Sequence, residues 1–291
     1  MNDDEFTGVI ADASARKARY EAMVRAYFER VTGIYRQYWG DSFHFAIFRG
    51  DESLAEAVQA TEDWLGERGG FRPGLEVLDV GCGVAGPALR FAERFGVRVT
   101  GLNLSEAQVR IARERVAGRG RAREVRFVVA DGMRMPFADG AFDRVYVFEA
   151  GCHMPDKPAF ARECARVLRP GGVFLGLDWM RGEGLGPAAM SRYVEPICRF
   201  HSVPDLSTLA EFGAGLSAAE FEVEELASAA DFGDILRNWE LLDDKTVAAF
   251  RGLAPDAIDP TLRFVTEGGI ALAAGARAGA FVLGHWRARR A

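Results

Sequence analysis

The sequence predicts an α/β protein, a doubly wound and mostly parallel sheet with a helical cap contributed by N-terminal and C-terminal-half insertions. Three observations predict it. Short apolar segments bounded by turn residues alternate with helical segments between residues 75 and 180. A glycine-rich turn, Gly81-Cys82-Gly83-Val84-Ala85-Gly86, follows the first apolar segment and opens a helix. Aromatic-rich stretches on either side interrupt that rhythm, and 291 residues suffice for a core domain with an added cap.

The elements follow in order. Residues 1–13 are polar and small and are expected to fray. From 14 to 38 the apolar positions Tyr20, Met23, Val24, Tyr27, Phe28, Val31, Ile34, Tyr35 and Tyr38 fall at helical spacing, a one-sided stripe rich in tyrosine. Tyr38, Trp39, Phe43, His44, Phe45 and Phe48 then form an aromatic stretch. Ser53 and Glu56 make a capping-box pattern that opens a helix to about Arg68. A strand over 75–80 precedes the glycine turn, and a helix runs on through Phe95. Residues 97–103 read as a second strand, and Ser105 with Gln108 caps a helix to about Val116. Strands over 125–130 and 142–148 follow, then a helix over about 157–168 that Pro170, Gly171 and Gly172 break, then a strand over 173–179. Beyond it, 181–217 reads as a helical insertion, 221–226 as a strand, 231–275 as containing more helix, and 280–286 as a closing strand.

Composition excludes several classes. Hydrophobic residues make up 49%, enough for a sizeable core, and the formal net charge is −6 with both signs mixed along the chain. That leaves no basic stripe for a phosphate backbone, so a nucleic-acid partner is not expected. No apolar run reaches the roughly 20 residues of a membrane span. The first residues are acidic where a signal peptide is basic, so a cytoplasmic protein is expected. Cys82, Cys152, Cys164 and Cys198 lie far apart, as do the four histidines, so neither a disulfide framework nor a metal site is expected.

The glycine pattern by itself fits a nicotinamide or a sulfonium cofactor equally. In a dinucleotide site an acid about 20 residues on would hold the ribose hydroxyls. Here the second strand ends in Asn103, whose amide can also bond a hydroxyl. The wider string is more specific. Val77-Leu78-Asp79-Val80-Gly81-Cys82-Gly83, then Val129-Ala130-Asp131-Gly132, then Val167-Leu168-Arg169-Pro170-Gly171-Gly172 resembles the class I S-adenosylmethionine (SAM)-dependent methyltransferases over residues 75–180. The resemblance implies a Rossmann-like SAM-binding core at 71–180. It would be preceded by a helical, aromatic cap segment at 1–70 and followed by 181–291, the rest of the sheet with a helical substrate-cap insertion. It implies SAM as cofactor, with Gly81 and Gly83 against its methionine and ribose, Asn103 at the ribose, Asp131, Gly132 and Met133 at the adenine, and Leu104 and Gln108 among the cofactor contacts. Asn103 departs from the acid that many members carry there.

A closer likeness lies outside the cofactor motif. Tyr38-Trp39-Gly40-Asp41-Ser42-Phe43-His44-Phe45 and Phe148-Glu149-Ala150-Gly151-Cys152-His153-Met154-Pro155 resemble two signature segments of sterol C-24-methyltransferases. Cys152-His153-Met154-Pro155-Asp156 and Leu177-Asp178-Trp179 are also similar to bacterial sugar and natural-product O-methyltransferases. The sterol-like reading implies that a small hydrophobic isoprenoid-type alkene (a sterol, a prenyl chain or a prenylated natural product) attacks the methyl group. The resulting carbocation is deprotonated, with or without cyclisation. Aromatic faces would stabilise such a cation and a base would remove the proton. Glu149, His153 and Asp178 follow strand ends four and five, where open α/β sheets bind ligands, and are the candidate catalytic groups. Tyr20, Tyr27, Trp39 and His44 are the candidate substrate contacts, although a tyrosine stripe is equally a packing device. His201 and His285 have no motif support and are expected to be structural or exposed. The alternatives are O-methylation through His153 or Asp178, N-methylation of a small amine, and a non-methylating SAM-bound cyclase or scaffold. The amphipathic N-terminal helix suits packing over its own active site or against a second subunit in a homo-oligomer.

Overall fold

The computed structural model describes residues 1–241 and 259–291. Seven strands form one sheet: β1 (Glu76–Val80), β2 (Arg98–Asn103), β3 (Val125–Val129), β4 (Phe142–Phe148), β5 (Leu168–Arg181), β6 (Phe221–Ser228) and β7 (Phe281–Arg290). Their spatial order is β3-β2-β1-β4-β5-β7-β6. The first five run parallel, and β7 lies antiparallel between β5 and β6. Val77, Leu78, Val80, Val145 and Val147 are fully buried, as parallel strands covered on both faces must be. The strand order reverses between β1 and β4, which opens a crevice at their carboxyl ends.

Eleven described helices surround the sheet. α4 (Leu54–Arg68) begins with the expected Ser53–Glu56 capping box. α5 (Gly86–Phe95) and α6 (Glu106–Gly118) follow β1 and β2, and α7 (Lys157–Val167) precedes β5. The insertion after β5 is one helical run, α8 (Pro187–Ala189), a π-helical turn (Met190–Val194) and α9 (Glu195–Phe200), followed by α10 (Leu209–Ala218). α11 (Pro260–Arg277) leads into β7. It accounts for part of the helix expected over 231–275, of which 242–258 lie outside the described residues.

Three local expectations are corrected. Residues 3–11 form helix α1 (Asp3–Ala11), capped by Asn2, and do not fray. Phe6, Val9 and Ile10 recur at helical spacing and are buried, and Phe6 meets Phe264 of α11 edge-on. Polar composition concealed this short stripe. The helix expected over 14–38 is two helices, α2 (Ala13–Ala18) and α3 (Tyr20–Tyr38), because Arg19 leaves helical geometry at φ −120°, ψ 25°. Pro170, Gly171 and Gly172 do not separate α7 from its strand. β5 starts at Leu168, which is extended and pairs with Phe142, and the register shifts before Arg144 meets Val173. The glycine pair is absorbed as that irregularity within the strand.

Candidate active site

Gly81 and Gly83 turn the chain out of β1 with φ of +82° and +52°, a region that favours glycine. A Cβ on Gly81 would sit 2.2 Å from the Cβ of Ala150, so this turn packs directly on the loop after β4. The crevice above the turn is lined by Gly81, Gly83, Asn103, Leu104, Gln108 and Gly132 from the core, and by Tyr20 and Tyr27 from α3. Asn103 is tightly held. Its Oδ1 accepts from the Ser105 N–H at 2.9 Å, and its Nδ2 donates to Gln108 Oε1 at 2.8 Å. Gln108 in turn donates to Thr32 Oγ1 of α3 at 2.9 Å, tying the cap to the core. Asp131 and Met133 stand just outside the lining residues. Asp131 accepts from the Met133 N–H at 2.8 Å, and its carboxylate, after burial itself, pushes the Tyr20 phenol pKa upward.

A second, largely apolar chamber adjoins the crevice. Trp39, Tyr38, Phe45 and Ile34 line it from the N-terminal half, and Leu262, Val265, Thr266, Gly269 and Leu272 line it from α11. Tyr35, Phe43, His44, Glu149, Trp179 and His201 face both spaces and form the wall between them.

Glu149 is the chemical centre of that wall. It follows β4 with φ +50°, a conformation uncommon for a residue with a side chain. Such strain persists where surroundings enforce it, often at functional sites. Here Oε1 accepts from the Phe45 N–H at 2.5 Å and Oε2 accepts from Trp179 Nε1 at 2.7 Å. Burial raises its pKa to about 7, against the lowering pull of His44 and these two donors.

His44 lies nearly parallel to Phe148 with centroids 4.2 Å apart, and its Nε2 is 3.3 Å from Glu62 Oε1. Burial lowers its pKa, but the Glu62 hydrogen bond and the charges of Glu62 and Glu149 together outweigh that, and the net direction is upward. Trp39 donates from Nε1 to the His44 carbonyl at 3.0 Å, which fixes the aromatic turn.

His153 lines the crevice above the glycine turn but not the second chamber. Its Nδ1 lies 3.1 Å from the Ser202 carbonyl, so Nδ1 carries the proton and Nε2 keeps its lone pair. Burial lowers its pKa to about 4, and the ring is neutral at pH 7. Asp178 lies outside both lining sets. Its carboxylate accepts from the Cys152 N–H at 3.1 and 3.2 Å and from the Trp179 N–H at 2.7 Å, holding the loop that carries Glu149 and His153. Burial raises its pKa to about 6.

Sequence reasoning missed three residues. Asp79 lines the crevice, is 2% exposed, and its Oδ2 has no hydrogen-bonding partner. A lone acid inside an apolar strand, two residues before the glycine turn, was its signal. Tyr35 was legible only as part of the stripe. His201 is buried in the wall, not exposed, and no pattern near it in the insertion points to the site. His285 is structural, bonding the Gly176 carbonyl within the sheet and Glu225. Among the described residues, no group of three or more His, Cys, Asp or Glu could hold a metal ion. No helix among them is long and apolar enough to cross a membrane.

Residues 78–176 match the family described as methyltransferase domain. The chain is 39% identical over 213 residues to cycloartenol-C-24-methyltransferase 1 of Oryza sativa subsp. japonica, covering 72% of this chain and 61% of that one. It therefore spans about three fifths of that curated relative's length. The crystal structure of the [4+2]-cyclase SpnF superposes with a TM-score of 0.78 at 25% identity, over 92% of this chain and 95% of the other. Geranyl diphosphate C-methyltransferase from Streptomyces coelicolor A3(2) superposes with a TM-score of 0.72 at 20% identity, over 94% and 98%, a likeness of fold. The glycine turn, the switch-point crevice and the ordered motif segments all lie in or beside residues 78–176, the part of the chain that matches the methyltransferase domain.

Proposed function

We propose that this protein transfers the methyl group of SAM to a carbon of a hydrophobic isoprenoid-type alkene. The observation that carries the reading is the position of Glu149, a buried carboxyl fixed between a cofactor crevice and an aromatic chamber. The relatives' names support it, since the sequence relative acts at C-24 of cycloartenol and a fold neighbour is a geranyl diphosphate C-methyltransferase.

The residues present fit SAM. The orphaned Asp79 Oδ2 beside the glycine turn suits a cationic amine. The Gly81 and Gly83 backbone admits close approach, and the Asn103–Gln108 amide pair stands where a ribose would lie. Tyr20 of α3, whose phenol lies against Asp131, would cover the adenine of a bound cofactor. When bound, SAM supplies an electrophilic methyl group on a sulfonium centre.

The chain's own residues then do the remaining work. Trp39, Phe43, Phe45 and Trp179 line the acceptor side with aromatic faces, which attract the carbocation left on the alkene after methyl transfer. Glu149 as carboxylate counters that charge and takes the proton whose C–H electron pair becomes the new double bond. Trp179 and the Phe45 N–H hold it in place. His153, neutral and fixed by Ser202, shapes the crevice on the donor side.

Glu149→Gln tests this. The amide keeps the size but neither counters a cation nor accepts the proton. Turnover should fall by about 10²–10⁴ while S-adenosylhomocysteine affinity stays within about threefold. Wild-type kcat should rise with pH through about 7, where Glu149 ionises. Unimpaired turnover in the variant would remove Glu149 from the chemistry and the proposal with it.

A further inference from the structure

Tyr35 and His201 of the wall are joined through Tyr27 by an unbroken hydrogen-bonded chain. The Tyr27 hydroxyl bonds the Tyr35 hydroxyl and lies 3.2 Å from His201 Nδ1. Tyr27 and His201 are 2% and 4% exposed, and Tyr35 is half-buried with both spaces in front of it. His201 packs edge-on against Trp179 with centroids 4.8 Å apart, and its Nε2 is buried against Gly268 of α11. Burial lowers its pKa to about 4, so the ring is neutral and carries one N–H.

Neutrality couples the three groups. If the His201 proton is on Nδ1, it donates to Tyr27, Tyr27 donates to Tyr35, and the Tyr35 O–H points out of the chain. If the proton is on Nε2, every donor reverses, and Tyr35 turns its lone pairs outward instead. In either arrangement one hydrogen-bonding function of Tyr35 is left for whatever occupies the wall. A hydroxyl, being both donor and acceptor, satisfies both arrangements. Phe43 and the neighbouring aromatic faces offer it no such partner, and the two hydrogen bonds that the Glu149 carboxylate accepts come from Phe45 and Trp179, not from Tyr35.

We propose that the acceptor carries a hydroxyl group close to the carbon that is methylated, and that Tyr35, oriented by Tyr27 and His201, binds it. The inference rests on the methyltransferase reading and narrows its substrate class to hydroxylated isoprenoids. A site built around a buried polar group discriminates against the analogue that leaves that group unpaired.

The test is a binding comparison on the whole protein saturated with S-adenosylhomocysteine, read by quenching of tryptophan fluorescence, since Trp39 and Trp179 line the chamber. The probes are farnesol and the matching hydrocarbon in which hydrogen replaces the hydroxyl. Tyr35→Phe should weaken farnesol about tenfold, the worth of one hydrogen bond, and leave the hydrocarbon within about twofold. Tyr27→Phe keeps the Tyr35 ring but loosens its hydroxyl, and should weaken farnesol alone by about threefold. Equal loss for both probes, no loss for either, or no binding of farnesol to the wild type overturns the proposal. Because the readout needs no methyl transfer, farnesol bound through Tyr35 without carbon methylation would sink the proposed activity and leave this inference standing.

Discussion

Glu149 and His153 sit four residues apart on the same loop, yet their surroundings give them different chemistry. Glu149 is held near half-ionisation at neutral pH by burial opposed by two donors. His153 is held neutral, its one N–H consumed by Ser202. His153→Ala should therefore cut turnover at least tenfold through loss of crevice shape, while calorimetry finds S-adenosylhomocysteine bound within about threefold of wild type. Equal losses would place His153 in the cofactor's own contacts. Both residues were legible in the sequence because they directly follow the fourth strand, inside a segment with a recognisable pattern. His201 was not. It reaches the wall through tertiary packing of the insertion on α3 and α11, and nothing in residues 195–207 encodes that contact locally.

At the level of elements, the N-terminal helices decide how closed the site is. α3 lays Tyr20, Val24, Tyr27, Phe28 and Tyr35 over the crevice, and α2 fastens that cover to the insertion. Arg16, 1% exposed, makes two 2.8 Å hydrogen bonds to the carboxylate of Glu195 and a third of 2.7 Å to the Ile10 carbonyl. Glu195 is 45% exposed at its side chain, so water would partly rescue it if Arg16 were lost. Arg16→Ala should accordingly cost about 2 kcal/mol in denaturant unfolding and make residues 1–19 the first site of limited proteolysis. An unchanged midpoint and an intact N-terminus would show that the latch is ornamental. Helix α3 was readable from its spacing, whereas α1 was not, since three apolar residues among nine give too weak a period against a polar background. The glycine pair after α7 misled in the other direction, because a register shift can absorb residues that elsewhere end an element.

At the scale of the whole molecule, the acids of the candidate site are buried, with a consequence for stability. Asp79 and Glu149 titrate near 7, each raised first by burial, and His44 is also shifted upward. The folded state therefore holds protons that the unfolded chain has released, and stability falls as pH rises through about 7. His153 and His201, near 4, and His285, also lowered by burial, act oppositely, but their contribution to the slope has already halved at the ordinary histidine value of about 6.5 and fades within about a unit above it, while the acids still titrate. Unfolding free energy should thus drop by about 1–2 kcal/mol between pH 6.5 and 8, and Asp79→Asn should flatten the decline. A stability that climbs over that interval would mean these acids are ionised and paired in solution. The parallel sheet and its cofactor motif were legible because strands, glycine turn and acid recur in order along 75–180. The second chamber was not, because it is assembled from residues 34–45, 149, 179, 201 and 262–272, which only the fold brings together.

The most direct test of the central claim follows the methyl group itself. Incubation with SAM carrying a deuterated methyl group and a hydroxylated isoprenoid alkene, followed by mass spectrometry and NMR of the product, should place the label on a former alkene carbon, with a new double bond beside it. Label found on oxygen or nitrogen, or none transferred while SAM is demonstrably bound, would contradict the account.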